Sequence, residues 1–188
     1  MKAGIADVCE IINGFAFKSE NYTTSGIRII RIANVQKGYV EDNTPQYYPL
    51  SEVDKIQQYI LNEGDILLSL TGNVGRVAVL EKQFLPAALN QRVACLRPNI
   101  DILTPRYLFY ALLSSKFEKD CIEASRGIAQ KNMSTEWLKQ YPINLRDINE
   151  QIKITNRLDL LTRIITRRRT QLAKLDELVK CRFFVWLV

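Results

Sequence analysis

Five short stretches of this 188-residue chain gather side chains that hold out hydrogen-bonding groups. They are Lys18, Ser19, Asn21 and Tyr22; Arg31 and Asn34; Thr71, Asn73 and Arg76; Asn90, Gln91 and Arg92; and Arg126, Gln130, Lys131 and Asn132. Asn and Gln amides match the donor–acceptor pair on an adenine edge, and Arg or Lys match the two acceptors of guanine. Lys, Arg, Ser, Thr and Tyr suit phosphate oxygens. Any single member is more often an ordinary turn or surface residue. As a group they are suited to nucleic-acid contact.

Catalytic chemistry finds less material. The chain has no histidine, which removes every Ser-His-Asp and Cys-His mechanism. Cys9, Cys95, Cys121 and Cys181 are far apart and include no Cys-x-x-Cys pair, so no zinc site is expected. They read as reduced, buried small hydrophobes of a cytoplasmic protein. In "TGNVGR" the spacing of Gly72 and Gly75 misses the phosphate loop, and Arg76 leads into a strand. The dinucleotide pattern G-x-G-x-x-G is absent, as is a methyl-donor motif of the Asn/Asp-Pro-Pro-aromatic type. The acids of "EKQF" and "NEGD" form no constellation. The expectation is a chain with no catalytic residues, metal or cofactor of its own.

The formal net charge is +6, and residues 146–188 carry ten basic against five acidic side chains. Excess positive charge suits a polyanion partner, although charges on a long helix are mostly solvated. No segment approaches the ~20 apolar residues of a membrane span, and "MKAGIADVCEIINGF" lacks a signal peptide's apolar region. "FFVWLV", at 183–188, is apolar; it is either a buried tail or a sequence cut off from what normally follows.

These side chains need a frame. Residues 1–145 read as a mixed α/β (α+β) globular domain. Val8–Ile12, Ile27–Ile32, Ile66–Leu70 and Arg76–Leu80 are β-rich runs, and Ala88–Leu96 alternates as one strand. The glycines between Leu70 and Arg76 predict a hairpin turn. Thr104 and Pro105 open a helix, and Phe109, Leu113, Phe117 and Cys121 line one face of it. A glycine-containing polar loop, a short helix at "TEWLK" and a last strand at "YPINL" follow.

From Arg146 the pattern changes. Asp147 and Glu150 have capping-box spacing. Ile154, Leu158, Leu161, Ile165, Arg168, Leu172, Leu175 and Val179 then repeat at alternating steps of four and three. This is the seam of a coiled-coil-type helix over 146–182. The seam needs a cover: a second copy of this chain, another protein, or the chain's own domain.

The ordered set "CEIINGFAFKSENY", "GIRIIRIANVQKG", "LNEGDILLSLTGNVGRVAVL", "ALNQRVACLRP", "SRGIAQKNMSTEWLKQYPINL" and "INEQIKITNRLDLL" resembles the specificity subunit of type I restriction–modification enzymes. The resemblance implies a target recognition domain followed by a conserved long helix. It implies binding to one half of a split double-stranded DNA target. Methyltransferase (modification) subunits using S-adenosylmethionine, and an ATP- and Mg-dependent restriction/translocase subunit, would supply the chemistry. The family's subunit has two recognition domains and two helices, and this chain has one of each. The "YPINLRDINEQ" stretch also lacks the usual proline pair. A half-subunit that self-associates through the helix fits this layout. Two other readings stay open: a recognition domain detached from a single-chain restriction–methylation enzyme, and a coiled-coil interaction adaptor.

Overall fold

A computed structural model describes residues 1–125 and 133–185, except for the side chains of 181–185. It divides into two compact units, Met1–Ile148 and Asn149–Val188. Among the described residues of the first, ten strands form three sheets. β1 (Lys2–Gly4) pairs antiparallel with β10 (Pro142–Asn144). β2 (Cys9–Asn13), β9 (Val93–Pro98), β6 (Ile66–Ser69) and β7 (Val77–Val79) form an antiparallel sheet in that order. β4 (Tyr47–Tyr48), β3 (Ile27–Ile30), β8 (Ala87–Leu89) and β5 (Ile60–Leu61) form a second, in which β3 and β8 run parallel.

The antiparallel sheet is buried on both faces, which is why "ILLSL" reads as a continuous apolar run rather than an alternation. Ile66 and Leu68 point to one side, with Leu108 and Leu112 of α2 (Pro105–Leu112) and Phe117 and Cys121 of α3 (Ser115–Ala124). Leu67 points to the other, with Ile30, Leu61 and Leu89 of the second sheet. α1 (Ile5–Val8) and α4 (Thr135–Gln140) complete the helical side through Ile5, Val8 and Leu138. The far face of the second sheet packs Ile27, Ile29 and Ala88 against Phe17, Tyr48 and Ile56.

The hairpin forms as expected, with Ile66 opposite Val79 and Leu68 opposite Val77. Gly72 and Gly75 take φ of 65° and 82°, where a side chain would be strained. The helix start is also as expected: Thr104 accepts the Tyr107 N–H at 3.3 Å. Two expectations are corrected. Ala88–Leu96 is not one strand; β8 and β9 belong to different sheets and turn at Asn90–Arg92. Nor do Phe109 and Phe117 share a helix. Ser114 accepts the Phe117 N–H at 3.3 Å and caps a second helix, so the row is split.

Cys9, Cys95 and Cys121 are buried free thiols. Burial pushes Cys9 and Cys121 up to about 12, with Asp120 and Glu118 adding to the shift at Cys121, and also raises Cys95. The fold therefore holds these groups protonated. Their contribution to stability is complete below the ordinary thiol value of 9.0 and is lost as pH rises from there toward 12. Iodoacetamide at pH 8 is expected to leave all three unmodified in the native protein, as read by peptide mass mapping. The melting temperature is expected to fall once pH passes 9. Labelling of any of the three in the native state would contradict their burial.

The second unit holds all but the first residue of α5 (Ile148–Val185), a helix of 38 residues beginning directly after Asp147. At 1.5 Å per residue it is about 57 Å long. Leu161, Ile165, Leu172, Leu175 and Val179 are each at least 50% exposed, and Ile154 and Leu158 are half-buried. Arg168 donates to Gln171 Oε1 at 3.1 Å. Leu160, Ile164 and Leu178 are exposed beside the expected seam and widen it. Among the described residues no helix is long and apolar enough to cross a membrane.

Candidate nucleic-acid interface

Strand register decides which of the polar stretches meet. β2 ends at Asn13 opposite Ala94, and β6 ends at Ser69 opposite Val93, so both finish where β9 begins. β7 begins at that same end, with Val77 opposite Leu68. In the other sheet β3 and β8 finish together, Ile30 beside Leu89. The residues that follow these strand ends share one rim: Arg31, Thr71 to Arg76, and Asn90 to Arg92. Backbone hydrogen bonds of 2.8 to 3.1 Å fasten it, from Phe15 to Leu89, Asn90 to Ile30, Gln91 to Phe15 and Leu70 to Arg92. Gly14 permits the crossing: a Cβ there would lie 2.2 Å from the Asn90 carbonyl carbon and oxygen.

The rim is basic. Residues 30–36, 69–76 and 89–93 contain Arg31, Arg76 and Arg92 and no acidic residue. The opposite end of the antiparallel sheet carries Glu10, Glu63, Asp65, Glu81 and Asp101 against Arg97 and Lys82. Arg97 there is consumed by Asp65, through Nε at 2.9 Å and Nη2 at 2.7 Å. A polyanion is attracted to the rim and repelled from the opposite end.

Within the rim the side chains differ in freedom. Asn73, Gln91 and Arg92 are exposed, and Arg92 makes no side-chain hydrogen bond among the described residues. Thr71 and Arg76 are half-buried. Ser69, fully buried, donates to the Asn73 carbonyl and accepts the Arg76 N–H at 3.0 Å, which shapes the hairpin tip. Arg31 donates through Nη2 to the Thr44 carbonyl at 2.7 Å. Its Nε is buried with no partner among the described residues.

Several of the expected contact residues are buried or placed apart from the exposed side chains of the rim. Asn34 is 3% exposed. Its Oδ1 accepts the Arg31 N–H, and its Nδ2 donates to Glu41 O and Asp42 Oδ1, at 2.8 to 3.0 Å. Both amide hydrogens are spent and the side chain is buried, so Asn34 builds the corner that carries Arg31. Asn90 is also buried, and its Oδ1 accepts the Arg92 N–H at 3.2 Å; it forms the turn that displays Gln91 and Arg92. Tyr22 is not at the rim, and Lys18 and Ser19 lie on the segment that leads to it from Phe15. Thr23 pairs with Tyr47, beside the start of β3 rather than its end. Lys18 faces Glu20 at 3.8 Å. Arg126, Gln130, Lys131 and Asn132 lie outside the described residues. Met133, which follows them, donates its N–H to Leu70 O at the rim, at 2.8 Å. The rim also holds Gln36, which the sequence analysis missed. The Lys37-Gly38 dipeptide beside it was the available turn signal.

The profile of the type I restriction modification DNA specificity domain family matches residues 2–176. The chain belongs to this family. The specificity subunit of the type I restriction enzyme EcoAI of Escherichia coli is 30% identical over 186 residues, covering 93% of this chain and 31% of that subunit. The MjaVIII specificity subunit of Methanocaldococcus jannaschii is 27% identical over 180 residues, covering 94% of this chain and 42% of that subunit. Among solved structures, the HsdS subunit from Thermoanaerobacter tengcongensis matches with a TM-score of 0.68 at 23% identity. That match covers 88% of this chain and 38% of the other. This specificity-domain chain therefore spans between 31% and 42% of the length of these relatives. The likeness bears out the expected fold, a mixed α/β domain with a long C-terminal helix.

Proposed function

We propose that the chain is a sequence-specific DNA-binding half-subunit of a type I restriction–modification system. Its recognition domain, 1–145, reads one half of a bipartite target, and its helix, 146–182, joins a second copy and docks the partner subunits. It recognises and does not catalyse. Methyl transfer from S-adenosylmethionine belongs to methyltransferase subunits, and cleavage to a restriction/translocase subunit. Two copies related by a two-fold axis carry equal recognition domains, so the target is an interrupted palindrome. The observation that carries this reading is the rim on which Arg76, Gln91 and Arg92 stand on strand ends, whose stretches 30–36, 69–76 and 89–93 supply three arginines and no acid.

Binding to a double-stranded DNA oligonucleotide is expected to weaken steeply with salt, because phosphate contacts release counterions. Arg76→Ala with Arg92→Ala is expected to weaken binding by more than about tenfold while the melting temperature moves by only a few degrees. Fluorescence anisotropy over a salt series reads the first, and a thermal melt the second. Unchanged affinity in the double variant places the DNA face elsewhere on the domain.

A further inference from the structure

Arg76 is the rim arginine whose guanidinium is held by another side chain. Its Nη1 donates to Gln36 Oε1 at 2.7 Å. Gln36 is itself fixed at three points. Its Nε2 donates to the Ala33 carbonyl at 2.8 Å, its backbone N–H donates to Tyr39 O at 3.0 Å, and Val35 and Val40 bridge across the turn. The Nε2 bond settles which end of the amide faces Arg76, so the acceptor meets the guanidinium. The Gln36 turn is anchored in turn on two elements. Gly38 donates its N–H to Val77 O at 2.8 Å, and Lys37 pairs with Glu118 of α3. The hairpin tip rests on α3 as well: a Cβ at Gly75 would lie 2.9 Å from Cys121 Cβ.

Arg76 therefore leaves a rigid tip and is held at one nitrogen by a rigid turn. An arginine has five N–H donors, and its Nε–Nη2 edge is a fork matched to the paired acceptors O6 and N7 of guanine. A contact to Nη1 leaves that fork whole. It also removes the rotamer freedom a long side chain otherwise loses on binding. A neutral amide acceptor leaves the cation's charge intact, whereas a carboxylate would neutralise it.

We propose that Gln36 is a positioning residue that holds Arg76 for bidentate reading of a single guanine in the target. This rests on the proposed function, with the rim as the DNA face.

The test is selection of the full chain on a pool of randomised duplexes, followed by sequencing of the bound fraction. Wild type is expected to enrich a motif containing a guanine that Arg76→Ala no longer selects. Gln36→Ala is expected to reduce the preference for that same guanine about tenfold, with the other motif positions keeping theirs. Gln36→Glu keeps an acceptor but loses the Nε2 bond to the Ala33 carbonyl and sets a carboxylate against the guanidinium, so it is expected not to recover it. Arg76→Lys keeps the charge and loses the fork, so it is expected to lose the preference too, whatever happens to the stability of Gln36→Ala. A motif in which Gln36→Ala retains the guanine overturns the positioning role and leaves the DNA-binding reading standing. So does a loss in Gln36→Ala that is uniform over every position of the motif. No motif from wild type overturns both.

Discussion

Leu161→Asp with Leu172→Asp is expected to convert a dimer of this protein into a monomer while Met1–Ile148 stays folded. Leu161, Ile165, Leu172, Leu175 and Val179 form an apolar stripe on α5 that is at least half exposed along its length. A contiguous exposed stripe of this kind marks an interface. Covering the exposed half of each such side chain is worth roughly 1 kcal/mol, which summed over both copies is enough to favour their association. Two aspartates per protomer place unpaired charges in the middle of a dry seam, at a cost of several kcal/mol each. Arg168 lies in the same row and meets Gln171 on its own helix, which leaves it able to snorkel at the seam's edge. Light scattering reads the mass, and far-ultraviolet circular dichroism the fold. A wild-type chain that stays monomeric at high micromolar concentration, with a methyltransferase subunit bound to the same stripe, replaces the homodimer by a bundle of unlike helices. The extra width given by Leu160, Ile164 and Leu178 leaves room for such a helix alongside a second copy.

Gly14→Ala is expected to destabilise the first unit by about 4 kcal/mol or more, which lowers its melting temperature by roughly 10 °C. The added methyl would sit 2.2 Å from the Asn90 carbonyl, among atoms that are all backbone. Backbone there cannot yield, because Phe15 N–H on Leu89 O and Gln91 N–H on Phe15 O pin both sides at 2.8 and 2.9 Å. Gly64→Ala is the control. Gly64 has φ of +86° with nothing within 4 Å of an added Cβ, so it costs strain alone, about 1–3 kcal/mol. Equal melting temperatures for the two variants would mean that the close approach at Gly14 relaxes freely.

The elements that could be read in advance are those whose signal is local. Gly72 and Gly75 announce the hairpin, Thr104-Pro105 announces a helix start, and the four-three step of apolar residues announces α5. The misread elements depend on partners far away in the chain. Ala88–Leu96 keeps its apolar character through a turn, because residues on both sides of that turn are buried, though in different sheets. The site follows the same rule. Arg76, Gln91 and Arg92 were legible as donors because turns display them. That Asn34 spends its amide on Asp42 and Glu41, and Asn90 on its own turn, depends on folding that no residue type reveals. Tyr22 carries the right chemistry at the wrong end of a sheet, which only the pairing of Thr23 with Tyr47 discloses.

The pairing of β1 with β10 has a consequence for how such a unit could be exchanged. Lys2 lies opposite Asn144, and the Leu145 N–H reaches the Met1 carbonyl at 2.8 Å. Residues near 2 and near 145 are therefore neighbours, so the first unit closes on itself before the long helix begins. A unit of this kind can be excised from one coding sequence and spliced into another, because its insertion opens a gap only one strand spacing wide, about 5 Å. An exchange made at those two neighbouring points replaces residues 2–145 without stretching the chain on either side.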